Sequence, residues 1–241
     1  MLGRQKVAAL VAEFLGAGVL TLLVLSVQRS TIGVPFFVAL AGGLTVALLT
    51  FAVGGASGGH YNPALTIALW TVRKVQTLTG LLYVGAQMLG GWAAYGLYTY
   101  LVNNTLQPIG GKFSWHILVA EAVGAAIFAF AWVSGAFQRF SQAVGSSVAG
   151  LAYMLGVVAA SSAAIGLINP AVALGVRAWA WAYVVGPIVG AFVGAQLYTL
   201  VFADAKEVAA IYSMSSTSSK PAAKASAKAP ARKRTTARKK K

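Results

Sequence analysis

"SGGHYNPALTIALW" at residues 57–70 and "AIGLINPAVALGVRAW" at residues 164–179 share one tripeptide, Asn-Pro-Ala. The two copies are Asn62-Pro63-Ala64 and Asn169-Pro170-Ala171. Each copy lies within apolar sequence, where a polar side chain followed by a helix-breaking proline needs a specific structural reason. The fold expected for the chain follows from this duplication.

The composition indicates a membrane protein. Of the 241 residues, 58% are hydrophobic and 10% are charged, which leaves too few charges to cover a water-soluble surface. Six apolar runs are each close to the ~20 residues that cross ~30 Å of hydrocarbon. These predicted spans are 7–27, 34–54, 78–102, 115–137, 142–162 and 180–202. The chain has no cysteine, which excludes disulfides and thiolate metal sites.

The chain also reads as two similar halves. "AEFLGAGVLTLLVLS" at 12–26 resembles "AEAVGAAIFAFAWVS" at 120–134, and "YVGAQMLGGWAAYGLY" at 83–98 resembles "YVVGPIVGAFVGAQLY" at 183–198. Each half contains three spans, so the second half enters the membrane from the opposite side and forms an inverted repeat. The predicted division is 1–106 for the first repeat, 107–204 for the second, and 205–241 for a basic, disordered, cytoplasmic tail.

The segments after the two tripeptides, 62–72 and 169–178, are too short to span a membrane and long enough to cross half of it. Asn is a preferred helix N-cap, and Pro suits the first helical position because it has no N–H. Two such half-helices meeting near the midplane would present amide donors and two positive dipole ends at one point. That arrangement accepts a neutral oxygen and repels a cation, so it predicts a constriction for neutral solutes.

These motifs resemble the aquaporins of the major intrinsic protein family over residues 5–203. The resemblance implies an all-α membrane fold with six transmembrane helices and two re-entrant half-helices, and one pore per subunit of a homotetramer. It implies a passive channel for water and/or small neutral solutes such as glycerol, with the two tripeptides at the pore constriction and with no cofactor and no metal. The absence of a nucleophile–base pair and of a phosphate-binding loop in the sequence also argues against an enzyme.

Three further residues match supporting positions of the family. Glu13 and Glu121 match buried carboxylates that hold the pore-lining loops through backbone contacts, and a proton relay is the alternative role. His60 matches a loop histidine, for which a packing role and a gating role both remain open.

The chain departs from the family at the outer selectivity filter. The arginine that normally follows the second tripeptide is replaced by Val172, and the other filter positions are Gly42, Val157 and Gly166. This set has no charge, no aromatic ring and no side-chain donor, which predicts a wide, apolar outer filter. Arg177 is a candidate for a pore-mouth role in place of the missing arginine, and the alternative is an arginine that snorkels to the interface.

The distribution of positive charge predicts the orientation. Basic residues concentrate on the side of the two termini, which the positive-inside rule makes cytoplasmic. We therefore expect a multi-pass protein of the plasma (cell) membrane. The low-complexity run 213–241 has a composition typical of disorder, and its charge favours contact with anionic lipid over nucleic acid.

Two other functions fit the same pattern. An ion-coupled secondary transporter also uses inverted repeats and broken helices, and only Glu13 and Glu121 could serve as its coupling sites. The third hypothesis is a structural membrane protein that has kept the fold and lost conduction.

Overall fold

The predicted spans appear as long helices in the computed structural model, which describes residues 3–217 and the side chains as far as residue 213. In chain order the helices are α1 (Arg4–Gln28), α2 (Pro35–Ser57), α3 (Pro63–Thr71), α4 (Thr77–Val102), α5 (Trp115–Gln138), α6 (Gln142–Ala160), α7 (Pro170–Gly175), α8 (Trp181–Val201) and α9 (Ala205–Thr217). No strand occurs within residues 3–217. The protein is therefore all-helical over the part that the structure describes, as predicted.

Five of these helices are long and apolar enough to cross a membrane, namely α1, α2, α5, α6 and α8. Helix α4 is the longest, at 26 residues, but its glycines, tyrosines and threonines, together with Gln87, make it less apolar. It takes the place of a span because it packs along α1, as α8 packs along α5. The six predicted spans correspond to these six helices, with ends that differ by a few residues.

Helix packing repeats between the two halves. Helix α1 packs on α2 as α5 packs on α6, and α2 and α6 pack on each other at the centre. Each short helix packs mainly on the last span of the other half, α3 on α8 and α7 on α4. This exchange follows from an inverted repeat whose half-helices enter from opposite sides. The boundary between the halves at residue 106 stays a prediction.

Glycines bring the long helices close together. A Cβ on Gly186, Gly190 or Gly194 of α8 would collide with a backbone carbonyl of α5, those of Leu118, Ala122 and Ala126 respectively. Spaced four residues apart, these glycines let the two backbones touch, as small residues do at helix interfaces in membranes.

Both half-helices end in the same way, at an arginine with left-handed backbone. Arg73 follows α3 with φ 62° and Arg177 follows α7 with φ 67°. Helix α7 ends at Gly175, so the prediction of a half-helix over 169–178 is too long at its C-terminal end. The amide of Ala178 turns back to the carbonyl of Ala173 and closes the end of the helix.

Helix α9 corrects the predicted tail. The sequence predicts disorder from residue 205, but residues 205–217 form a helix. Asp204 accepts hydrogen bonds from the amides of Lys206 and Glu207 and so caps the first turn. Val208 and Ile211 pack against the core of the bundle, and this docking stabilises a helix that is too polar and short to persist alone. The remainder of the predicted disordered segment lies outside the described residues.

Candidate functional site

The two tripeptides cap the two half-helices. The Oδ1 atom of Asn62 accepts a hydrogen bond from the amide of Ala64 at 2.9 Å, and that of Asn169 accepts one from Ala171 at 3.0 Å. Both Asn residues have extended backbone, and each is followed by proline at the first helical position. All six residues of the tripeptides are buried. The local structure is the N-cap that the sequence predicts.

The two caps are also joined to each other. The Nδ2 atom of Asn62 donates to the carbonyl of Ile168 at 2.9 Å, and Nδ2 of Asn169 donates to the carbonyl of Tyr61 at 2.9 Å. Each Asn side chain thus binds the backbone carbonyl of the residue that precedes the other Asn. Since a primary amide has two hydrogens, one hydrogen on each Asn side chain remains available for another acceptor.

Glu13 holds the first loop from inside α1. Its side chain is fully buried and accepts hydrogen bonds from the amides of His60 and Tyr61 at 3.0 and 2.7 Å. The hydroxyl of Ser57 and the amide group of Gln87 also donate to it, both at 2.6 Å. Four fixed donors compensate the desolvation of a carboxylate that has no cationic partner among them.

Glu121 of α5 holds the second loop in the same way. It is fully buried and accepts hydrogen bonds from three successive amides, those of Gly166, Leu167 and Ile168, at 3.0, 2.9 and 2.6 Å. Because these amides turn toward Glu121, the carbonyls of the same segment point toward other groups. The carbonyl of Ile168 accepts a hydrogen bond from Asn62, and the carbonyl of Leu167 accepts one from the hydroxyl of Tyr153. The left-handed backbone of Gly166, with φ 77°, permits this turn.

His60 belongs to the network around Glu13. It is buried, and its Nδ1 atom lies 3.1 Å from the hydroxyl of Thr66. Its ring packs edge-on against Tyr83 and Trp132, with ring centroids 5.4 and 5.5 Å apart. The residue also lines a cavity of about 400 Å³ on the side of the termini. These contacts describe a packed histidine at a cavity wall, and a gating role remains a prediction.

Sequence reasoning missed Gln87 and Thr66, which complete this network. The amide group of Gln87 bridges Glu13 and the Thr66 hydroxyl, at 2.6 and 2.9 Å. The available signal was a glutamine within an apolar span, since a polar side chain facing the interior of a membrane protein normally has a specific partner.

The four filter positions are all buried. Gly166 lies against Val157 of α6, because a Cβ on Gly166 would be 2.8 Å from the Val157 carbonyl oxygen and 3.3 Å from its Cγ1. Val172 is fully buried in the first turn of α7. Gly42 of α2 lies beside the ring of Tyr153, as a Cβ there would be 2.7 Å from Cε1 of that tyrosine. The role of the four residues as a filter stays a prediction.

Tyr153 is the second omission. It lies on α6 one helical turn before Val157, so the two residues share a helix face. The sequence signal was this spacing from a filter position. The sequence alone did not show that a ring from α6 fills the space left by a glycine in α2.

Arg177 lies next to α4. Its Nη1 atom donates to the hydroxyl of Tyr95 at 3.3 Å, and its guanidinium lies 5.5 Å from the centre of that ring. Its carbonyl accepts a hydrogen bond from the amide of Ile109, in the loop between α4 and α5. This loop therefore folds onto the segment that follows α7. A pore-mouth role for Arg177 stays a prediction.

Comparison with known proteins gives consistent results. The family model "Major intrinsic protein" matches residues 3–198. Aquaporin Z from Photorhabdus laumondii is 32% identical over 225 residues, which cover 81% of this chain and 97% of that protein. Aquaporin AqpM from Methanothermobacter marburgensis is 32% identical over 67% of this chain and 74% of that protein.

Solved structures also match. The X-ray structure of the aquaglyceroporin from Plasmodium falciparum aligns with a TM-score of 0.70 and 22% identity, covering 85% of this chain and 99% of that one. At 22% identity, this match shows a similarity of fold alone.

Proposed function

The chain belongs to the major intrinsic protein family, and we propose that its pore passes the point where the two Asn caps meet. The protein is a passive transmembrane channel for water and/or small neutral solutes and is not an enzyme. The crossed hydrogen bonds of Asn62 and Asn169 are the observation that carries the proposed position of the pore. They bring the N-termini of two half-helices to one place inside the bundle.

The proposed mechanism uses the remaining donors of the two caps. A water or hydroxyl oxygen that reaches the caps accepts the free hydrogen of each Asn amide and so replaces part of its lost hydration. The partial positive charge at the start of both half-helices raises the energy of a cation at the same point. The site thus favours a neutral oxygen over an ion without any moving part.

The buried carboxylates support a channel over an ion-coupled transporter. Glu13 and Glu121 both use their oxygens to hold backbone amides of the loops. A coupling site must exchange its ion during transport, and releasing these amides would dismantle the loops that carry the two caps. We assign both residues a positioning role.

We further propose that the outer filter consists of Gly42, Val157, Gly166 and Val172 and excludes little by charge. With Val172 in place of the family's arginine, the filter has no fixed guanidinium and loses several donors. Exclusion of protons and cations then depends mainly on the caps. Family resemblance supports a homotetramer, and the exposed apolar side chains of the bundle support contact with the lipid bilayer.

The orientation is also proposed, with both termini cytoplasmic in the plasma membrane. The positive-inside rule supports it, since more basic residues outside the spans fall on the terminal side than on the opposite side. Those on the terminal side, besides the tail, are Arg4, Lys6, Arg73, Lys74 and Arg139; those on the opposite side are Arg29, Lys112 and Arg177.

Proteoliposomes give the test of this function. Stopped-flow light scattering on one preparation should show water permeability, and permeability to glycerol, above that of protein-free liposomes. Flux should rise linearly with solute gradient and should not change when Na⁺ or H⁺ gradients are imposed. Saturable uptake that follows an ion gradient would instead identify a transporter, and no flux of any solute would identify a structural protein.

A further inference from the structure

We propose that Tyr153 is a size-determining residue of the pore, an aromatic ring supplied by α6 at the level where α2 has only Gly42. This inference rests on the proposed pore position. It adds to the four filter positions a residue that the family pattern does not assign.

The fit between Tyr153 and Gly42 is close. A Cβ on Gly42 would lie 2.7 Å from Cε1 and 3.2 Å from Cδ1 of the tyrosine ring, and 3.8 Å from Leu20 of α1. Ring carbons and a β-carbon do not approach that closely without displacement. Although Gly42 has no side chain, the space beside it is not open, because the ring of Tyr153 occupies it.

The ring is fixed on its other sides as well. Its hydroxyl donates to the carbonyl of Leu167 at 3.3 Å, in the segment that Glu121 holds just before the Asn169 cap. Phe128 of α5 meets it edge-on, with ring centroids 5.3 Å apart. Tyr153 thus extends from α6 to α2, α5 and the second loop, which are the elements around the proposed route outward from the caps.

The repeat provides an internal comparison. Helices α2 and α6 cross where Gly43 faces Gly150, since a Cβ on either would lie within 2.7 Å of the other's carbonyl oxygen. The residue three positions after Gly43 is Val46, and the residue three positions after Gly150 is Tyr153. Both are buried. Because the fold accepts the smaller valine at this place in one half, the large ring in the other half points to a local role.

The consequence is a narrower outer pore than the filter residues alone predict. The ring limits the width of the pore, and its hydroxyl takes one of the two acceptor positions of the Leu167 carbonyl, which leaves less acceptor capacity for a polyol hydroxyl group. Water needs less width than glycerol, so the ring should reduce polyol flux more than water flux.

The experiment measures the ratio of glycerol to water permeability in proteoliposomes. Tyr153→Leu should raise this ratio by at least about threefold, a barrier change of roughly 0.7 kcal/mol, and Tyr153→Phe should leave the size limit near that of the wild type. Gly42→Phe combined with Tyr153→Leu should bring the ratio back toward the wild-type value, because α2 then supplies the ring. Tyr198→Leu is the matched control, since that tyrosine packs against Phe130 and Phe202 near the end of α8.

The outcomes separate this inference from the proposed function. If the wild type conducts water and correctly assembled Tyr153→Leu protein keeps the wild-type ratio, the inference is wrong and the channel function stands. If the wild type conducts neither water nor glycerol, the proposed function itself fails. Should Tyr153→Leu not assemble, Tyr153→Val supplies the smaller side chain that the fold accepts at Val46 in the other half, and an unchanged ratio in that variant overturns the inference equally.

Discussion

At the residue scale, the two buried carboxylates decide where the loops lie. Each is surrounded by donors that an uncharged residue could not satisfy equally, because an amide presents one oxygen and one NH₂ group where the carboxylate presents two oxygens. In Glu121→Gln the NH₂ group would face one of the amides of Gly166, Leu167 and Ile168. A buried amide without its acceptor costs about 1–3 kcal/mol.

We therefore expect Glu121→Gln to lower the free energy of unfolding by about 2 kcal/mol and to reduce water conduction. Thermal unfolding in detergent and light scattering measure the two effects. Glu207→Gln is the control, because that residue makes a partly exposed ion pair with Lys74 at 3.3 Å, worth at most about 1 kcal/mol. A Glu121→Gln protein of normal stability that loses only a proton flux would favour the proton relay instead.

A substitution at Val172 tests whether this residue belongs to the proposed outer filter. Val172→Arg restores a fixed charge and several donors to the proposed outer filter. Glycerol flux should fall more than water flux, because the guanidinium reduces the available width and orders the remaining water. Both permeabilities are measured on one preparation. If neither permeability changes, residue 172 does not face the pore.

At the element scale, close helix contact through glycine sets the width of the bundle. Gly190 of α8 lies against the carbonyl of Ala122, with no space for a β-carbon. Gly190→Ala should therefore separate α5 from α8 and lower stability by about 1–3 kcal/mol. Gly85→Ala in α4 is the control, since nothing lies within 4 Å of a Cβ there. Equal melting temperatures for the two variants would show that this crossing does not limit stability.

The elements also show what could be predicted from sequence. The Asn-Pro-Ala duplication, the two glutamates and the span lengths predict the helices and the loops, because each depends on short spacing and on local rules for caps and span length. The contact of Gly42 with Tyr153 depends on two helices from different halves meeting at one level, which spacing alone does not reveal. Helix α9 was missed because its stability comes from docking on the bundle rather than from its own sequence.

At the scale of the whole molecule, the basic tail should be dispensable for conduction. A chain truncated after Tyr212 keeps Glu207, Val208 and Ile211, which attach α9 to the bundle. We expect water permeability per assembled protein to equal that of the full chain. A truncated protein that inserts normally but does not conduct would place the removed residues in the pore machinery.

In the proposed mechanism the whole channel passes neutral molecules and stops cations, and the two caps do so without an arginine at the proposed filter. Asn62→Asp would place a negative charge at the crossing, and the carboxylate could no longer donate to the carbonyl of Ile168. The charge would offset the positive ends of the half-helices. Asn104→Asp is the matched control, because it adds the same charge in the exposed loop after α4, away from the caps.

Water permeability and H⁺ permeability, measured in the same proteoliposomes, therefore give the most direct test. Wild-type protein and Asn104→Asp should raise water permeability and leave H⁺ permeability at the level of protein-free liposomes, whereas Asn62→Asp should add an H⁺ leak. An H⁺ leak in the wild type, or no leak and unchanged water flux in Asn62→Asp, would contradict a pore that selects neutral solutes at the two caps.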